Sequence, residues 1–482
     1  MATPLPDNDA VFSAAELRSA TSALEQVAAP VPVRGVTTDS RRVREGSLFV
    51  ALRGAQHDGH DFLPQAFAAG AGAVLVEHAF LDRAAAAPEG TGVYAVQDTL
   101  TALGDLAAFH RRRFSLPLVA ITGSVGKTST KDLVAAALAG LGRRVLRTAG
   151  NLNNRVGLPM TLLTLRSEHD AAVIEMGMSV PGEIAELARI AAPTVGVVTA
   201  VAEAHLEGLG GLEGVAREKG ALLLALGEDA VAIWCADYAA IEPYAERSSA
   251  KRKLCYGLRE GADVRLARFE LEASPATRCR YEVCGHPLEL TLAQLGEGAA
   301  VNVAGALAVL LALGEEREGA LDALAKAPAV PGRMVPVALA NDVLALDDSY
   351  NASPRSVTGA LETSAALADA RGGRLIAVLG DMLELGAESR ALHEQVGREV
   401  VRARAKVLVA CGEQMTHAGR AALAATMERP RGERTRVVIV KEPAAAADCA
   451  KHELEPRDVL LVKGSRGMRM ERVIDALAGE QV

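Results

Sequence analysis

Val119-Ala-Ile-Thr-Gly-Ser-Val-Gly-Lys-Thr-Ser-Thr-Lys131 is the stretch that decides the fold. The apolar run Leu116–Ile121 reads as a buried strand, Gly123 and Gly126 as a turn, and Lys127–Leu138 as a helix. Glycines let the backbone pass close to a ligand, so successive N–H groups and the helix N-terminus can face a polyphosphate. Gly123, Ser124, Val125, Gly126, Lys127, Thr128 and Ser129 are therefore candidate nucleotide contacts. Lys127 would reach the β/γ-phosphates, and the Thr128 hydroxyl would ligate Mg2+. Ile121 occupies the place of the first glycine in the full G-x-x-x-x-G-K-[ST] pattern, which leaves an ordinary Gly-Lys-Thr turn as the alternative.

Outward from this loop, strand-like runs recur at Ala171–Ile174, Val195–Val201 and Ala230–Trp234, with helical patterns between the first three. That alternation is the βαβ signature of a mainly parallel sheet. It restarts with Val343–Leu346, Leu375–Leu379, Val407–Ala410, Val437–Val440 and Val459–Val462, which predicts a second doubly wound domain. The first 111 residues alternate short apolar runs (Ser47–Leu52, Gly72–Glu77) with polar turns, compatible with a small α/β domain. The fold class is α/β in three domains, 1–111, 112–330 and 331–482. A length of 482 residues fits that number.

Composition narrows the function. A formal charge of −8 argues against a general nucleic-acid binder, and the basic run Arg111-Arg112-Arg113 reads as a solvated linker face. Six cysteines lack metal-ligand spacing, so reduced thiols in a cytosol are expected, without zinc. No run of apolar residues looks long enough to span a bilayer, and residues 1–30 do not read as a signal peptide. The expectation is a cytoplasmic monomer without membrane or nucleic-acid partners.

In open parallel sheets, ligands lie beyond the carboxyl ends of the strands. The strand after the phosphate loop ends in Glu175, and the next is followed by Ala-His205-Leu-Glu. A carboxylate and an imidazole beside a nucleotide are suitable Mg2+ ligands, although singly each could be a surface or loop residue. The loop Gly150-Asn-Leu-Asn-Asn-Arg-Val-Gly-Leu-Pro159 carries Asn153 and Asn154, which read either as a turn or as amide donors to a polar ligand. In the last region Asp347-Asp348-Ser-Tyr-Asn-Ala-Ser-Pro354 and Gly380-Asp-Met-Leu-Glu-Leu-Gly386 follow strands, where aspartates bind ribose or cap helices. Arg333, at a domain joint, suits a phosphate, a carboxylate or a surface salt bridge.

These segments, in this order, resemble the Mur ligase family of bacterial cell-wall synthesis, over nearly the whole chain. Ile-Thr-Gly-Ser-Val-Gly-Lys-Thr128 is shared across that family. Asp39-Ser-Arg41 and Gly46–Gly54 look like its UDP-sugar-binding part, with Ser40 and Arg41 as contacts. Gly150-Asn-Leu-Asn-Asn154, Glu175-Met-Gly-Met178, Asp348-Ser-Tyr-Asn-Ala352 and Leu379–Gly386 resemble the branch that adds D-alanyl-D-alanine to a UDP-N-acetylmuramoyl tripeptide. The Asp-Asn-Pro-Arg segment of the diamino-acid-adding branch is missing.

The resemblance implies an ATP-dependent ligase of peptidoglycan synthesis working through an acyl phosphate. Its N-terminal domain would bind the UDP-sugar, its central domain ATP, and its C-terminal domain would be Rossmann-like. It implies Lys127, Lys219 and His205 as catalytic, with Thr128 and Glu175 on one Mg2+ and His205 on a second. Lys219 occupies the place of a lysine carbamylated by CO2 to give an anionic metal ligand. Arg333, Asp348 and Asn302 would contact ATP, and Tyr350, Asn351, Asn153 and Asn154 the substrates. Three departures stand out: Val301 and Gly305 replace the usual His and Asn of the adenine segment, Ala200 a usual Asn, and Ser353 another. The rival expectations are a ligase adding a diamino acid, a folylpolyglutamate synthase, and a non-catalytic nucleotide-binding scaffold.

Overall fold

The computed structural model describes residues 3–54, 56–202, 211–272 and 275–479. Their strands form three main sheets, each fed by apolar runs with helices between them. The central sheet has nine strands in the order His286–Leu292, Thr277–Val283, Val264–Leu271, Arg252–Gly257, Val231–Cys235, Val195–Val198, Leu118–Thr122, Ala171–Glu175, Val145–Arg147. Seven neighbouring strands from Val264–Leu271 to Val145–Arg147 run parallel, and the other two extend the sheet antiparallel. Leu118–Thr122, Ala171–Glu175 and Val195–Val198 are buried along their whole length, as a sheet covered on both faces requires. Burying a Val or Ile of such a strand contributes roughly 1.5–3 kcal/mol, so these runs carry much of the central core.

The N-terminal sheet pairs Leu24–Val27, Gly92–Val96, Ala73–Glu77, Leu48–Val50 and Val36–Thr37, parallel except for its first pair. The C-terminal sheet is ordered Val335–Ala338, Leu344–Asp348, Val459–Lys463, Leu375–Gly380, Val407–Cys411, Arg436–Val440, again parallel but for its first pair. Every apolar run expected to be a strand is one, within a residue or three at its ends. The strands missed are Val145–Arg147, Arg252–Gly257 and the antiparallel strands from Val264 to Leu292 in the central sheet, Leu24–Val27, Val36–Thr37 and Gly92–Val96 in the N-terminal sheet, and Val335–Ala338 in the C-terminal one.

One expectation about apolar length needs correcting. The helix Gly296–Leu313 is long and apolar enough to cross a bilayer by composition, with a mean hydropathy of 1.7. Its Val303, Leu307 and Leu310 instead pack in the central core with Val134 and Leu138 of the helix Lys127–Gly140. Burial inside the domain accounts for its composition.

Candidate active site

The strand Leu118–Thr122 delivers the phosphate loop, and its neighbours fix what surrounds it. Ile121 pairs with Glu175, and Thr122 with Val198, so both flanking strands end level with the loop. Gly123 (φ +148°) passes so close to the next strand end that an added Cβ would lie 2.1 Å from Thr199 Oγ1. Gly126 (φ +89°) precedes the helix, and a Cβ there would meet Asn302 Oδ1 at 2.4 Å. Both glycines are thus demanded by contact and by conformation. The Ser124 N–H donates to Ala200 O at 2.7 Å, the Ser124 hydroxyl to Ala202 O at 3.0 Å, and Thr199 Oγ1 to Val125 O at 2.6 Å. These bonds hold the loop rigidly, with Thr128 and Ser129 in the first turn of the helix.

Lys127 folds back over the loop, donating to Gly123 O at 2.6 Å and Ser124 O at 3.3 Å. Burial lowers its pKa, Glu175 opposes that shift, and Arg333 adds to it. Glu175 is buried. Its Oε1 accepts from Asn153 Nδ2 at 2.8 Å, and its Oε2 has no hydrogen-bond partner. An unpaired buried carboxylate oxygen costs free energy unless something cationic sits against it.

Lys219 lies on the helix Leu212–Leu224 with its side chain buried, and no described residue accepts a hydrogen bond from its ammonium. Burial is the main reason its pKa is lowered to about 7. Lys127 pushes in the same direction, while Glu218, Glu175 and Glu183 push back. Its neighbour Glu218 is already used: it accepts from the N–H groups of Gly182 (2.9 Å) and Ile184 (3.0 Å) at the start of the helix Glu183–Ala191.

The C-terminal domain closes one side. Arg333 Nη2 donates to Thr128 Oγ1 at 3.3 Å, and its guanidinium lies over the Tyr350 ring at 4.6 Å. Its buried Nε has no partner. Arg333 stands between two left-handed residues, Gly332 (φ +72°) and Met334 (φ +53°), of which only the methionine strains the backbone. Asp348 holds it there: Oδ1 accepts the Met334 N–H at 3.2 Å, and Oδ2 accepts from Lys463 Nζ at 2.7 Å. Burial raises the Asp348 pKa, against the pull of Lys463 and Arg333. Lys463 also donates to Asn351 O at 2.9 Å. A cavity of about 880 Å³ lies between the domains, reached by Thr128, Lys131, Arg333, Asp347, Tyr350 and Arg466 among others.

The expected residues thus divide. The loop, Glu175, Asn153, Lys219, Asn302, Arg333 and Tyr350 converge, while Asp348 and Asn351 support the closing segment from behind. Asn154 is spent locally, its Oδ1 accepting the N–H groups of Val156 (3.1 Å) and Gly157 (2.8 Å). Ser40 and Arg41 belong to the N-terminal sheet's own loop. Ser40 donates to Gln65 Oε1 at 2.8 Å, and the exposed Arg41 pairs with Asp39 at 2.7 Å. His205 lies outside the described residues. Lys463, Arg466 and Glu471 were not anticipated; Lys463 ends the strand Val459–Lys463 and the other two follow it, and the strand-end rule applied there would have found the first two.

A phosphate loop met by an arginine from a second α/β domain has the form of a nucleotide site built from two domains. Comparison with known proteins narrows this. The Mur ligase family catalytic domain matches residues 32–111, the Mur ligase middle domain 121–310, and the Mur ligase glutamate ligase domain 332–466. The chain belongs to the Mur ligase family. It is 38% identical over 464 residues to the UDP-N-acetylmuramoyl-tripeptide--D-alanyl-D-alanine ligase of Escherichia coli (strain K12), covering 93% of this chain and 94% of that one. The ligase of the same name from Bacillus subtilis (strain 168) is 32% identical over 445 residues, covering 92% and 93%. Among solved structures, MurF from Acinetobacter baumannii superposes with a TM-score of 0.85 at 29% identity, over 99% of this chain and all of that one. MurF from Thermotoga maritima in complex with ADP gives 0.79 at 29% identity, over 92% and 97%.

Proposed function

We propose that this chain is an ATP-dependent ligase joining D-alanyl-D-alanine to a UDP-N-acetylmuramoyl tripeptide, giving the pentapeptide precursor of peptidoglycan. The observation that carries this reading is Arg333 reaching Thr128 across the inter-domain cavity, so that one phosphate site is built from two domains. The names of the full-length relatives supply the substrates. We assign residues 1–111 to the UDP-sugar, 112–330 to ATP, and 331–482 to closure and the incoming dipeptide.

The tripeptide carboxylate attacks the γ-phosphorus of ATP, forming an acyl phosphate and releasing ADP. The dipeptide amine then attacks the acyl carbon, the C–O bond to phosphate breaks, and the amine loses a proton. A carboxylate oxygen leaves badly and a phosphate leaves well, which is why ATP is spent. The backbone N–H groups of residues 123–128 would cradle the phosphates. Lys127 would leave its carbonyl partners to meet the charge on the transferring group, and Arg333 would offer its free Nε to the same oxygens. Closure of the C-terminal domain would exclude water, which would otherwise hydrolyse the acyl phosphate.

Mg2+ fits the residues present. Glu175 Oε2 is buried and unpartnered, and the Thr128 hydroxyl lies beside the same loop, both hard oxygen donors. Bound there, the ion would neutralise phosphate charge; His205 is assigned to a second one by motif alone. Lys219 is suited to carbamylation. With a pKa of about 7 it is half neutral at pH 7. Its neutral Nζ can add to CO2, forming an N–C bond and losing one proton to leave a carbamate anion.

The test is ADP release with UDP-muramoyl tripeptide and each of D-Ala-D-Ala, meso-diaminopimelate and L-Lys. Turnover with the dipeptide alone is expected. Turnover only with a free diamino acid would overturn the assignment, and no turnover with any would favour a nucleotide-binding scaffold.

A further inference from the structure

The inter-domain cavity carries a second cationic group that the phosphate chemistry does not use. Arg466, just beyond the strand Val459–Lys463, lines it and lies over the Tyr350 ring at 5.7 Å. Its Nη1 contacts Glu471 Oε1 at 3.2 Å, and Glu471 Oε2 is buried without a partner. Glu471 thereby anchors one edge of the guanidinium, and no described residue takes its Nε or Nη2. Those donors suit bidentate binding of a carboxylate. The other cations lining the cavity are differently committed. Lys131 Nζ, buried, donates to Thr148 O at 2.9 Å, Arg147 pairs with Asp132 at 2.9 Å, and Arg333 is bonded to Thr128.

Tyr350 limits how far apart the two arginines can lie. Arg333 and Arg466 lie 4.6 and 5.7 Å from its ring centre, so their guanidinium carbons are at most about 10 Å apart. Two extended residues span about 7 Å from amine to carboxylate, whereas one spans about half of that. An amine placed against an acyl phosphate gripped by Arg333 can put a dipeptide carboxylate at Arg466.

We propose that Arg466, braced by Glu471 beside Tyr350, binds the carboxylate of the incoming dipeptide. This rests on the ligase reading above and names how that site selects its second substrate.

The experiment compares kcat/KM for D-Ala-D-Ala and its C-terminal amide in the wild-type enzyme and in Arg466→Gln, Arg466→Lys and Arg147→Gln. Removing a charge-assisted bidentate contact is expected to cost about 30-fold or more. Wild type should therefore prefer the acid over the amide by that factor. Arg466→Gln should lose the preference, Arg466→Lys should keep part of it, and Arg147→Gln should keep it all, with KM for ATP unchanged in each. A preference that survives in Arg466→Gln, or that vanishes in Arg147→Gln instead, overturns the proposal. Inactivity of the wild-type enzyme on D-Ala-D-Ala would instead overturn the ligase reading itself. An Arg466→Gln chain that has lost structure would show a raised KM for ATP and a lowered melting temperature. In that event the acid-to-amide ratio of Arg466→Lys decides: a reduced ratio supports the proposal and a wild-type ratio overturns it.

Discussion

Lys219 gives the sharpest test of how this site makes an anion from a cation. An ordinary lysine, with a pKa near 10.4, is neutral in well under 0.1% of molecules at pH 7. With its pKa brought to about 7 by burial and by Lys127, Lys219 is neutral in about half. That is about a thousandfold more of the form that reacts with CO2. Wild-type enzyme in 13CO2-enriched buffer should show a carbamate carbon resonance absent from Lys219→Ala, growing as pH rises through 7. Lys219→Ala should lose about 100-fold or more in kcat/KM, with partial recovery in formate or acetate that replaces the missing anion. The unmodified folded chain releases this proton near pH 7, while the unfolded chain holds it to about 10.4. The unfolded state therefore binds more protons across that interval, so without CO2 stability should rise with pH there, and Lys219→Ala should abolish the rise. Full activity of Lys219→Ala, or a wild-type enzyme with no carbamate signal at high CO2, would refute the reasoning.

Three further outcomes follow from the same geometry. Gly126→Ala should cost at least about 1–2 kcal/mol, from its left-handed φ of +89° and the 2.4 Å approach to Asn302 Oδ1, and should raise KM for ATP; an unchanged melting temperature and KM would contradict the loop geometry. Glu175→Gln keeps the shape and the bond from Asn153 but removes the unpartnered anion, so titration with Mg2+ should show half-maximal activity at a clearly higher concentration, with kcat/KM down about 100-fold. Asp348→Ala leaves Lys463 buried without its 2.7 Å partner and should destabilise the C-terminal domain by about 3–5 kcal/mol, measured by urea denaturation. Adding Lys463→Met to Asp348→Ala should recover part of that loss.

The strands were legible wherever both faces are buried, because Leu118–Thr122 or Val459–Lys463 then appears as an unbroken apolar run. Val264–Leu271 and Thr277–Val283 escaped because they alternate buried apolar residues with exposed Arg and Glu. Glu175 could be placed from its strand end alone, but its unpartnered oxygen depends on Asn153 arriving from another loop. A lysine on an amphipathic helix is ordinarily solvated, so sequence alone does not single out Lys219. Only the packing of Leu212–Leu224 against the strand ends shows that it is buried. The Asp348–Lys463 pair, 115 residues apart in sequence, exists only because their two strands are neighbours in the C-terminal sheet.

The central claim is that ATP activates a carboxylate for amide formation. Tripeptide labelled with 18O in its terminal carboxylate, turned over once with ATP and D-Ala-D-Ala, reads this directly by mass spectrometry of the inorganic phosphate. The acyl-phosphate route breaks the acyl C–O bond and leaves one carboxylate oxygen on phosphate, so one 18O should appear there per pentapeptide formed. Pentapeptide formed with no label in the phosphate would contradict it.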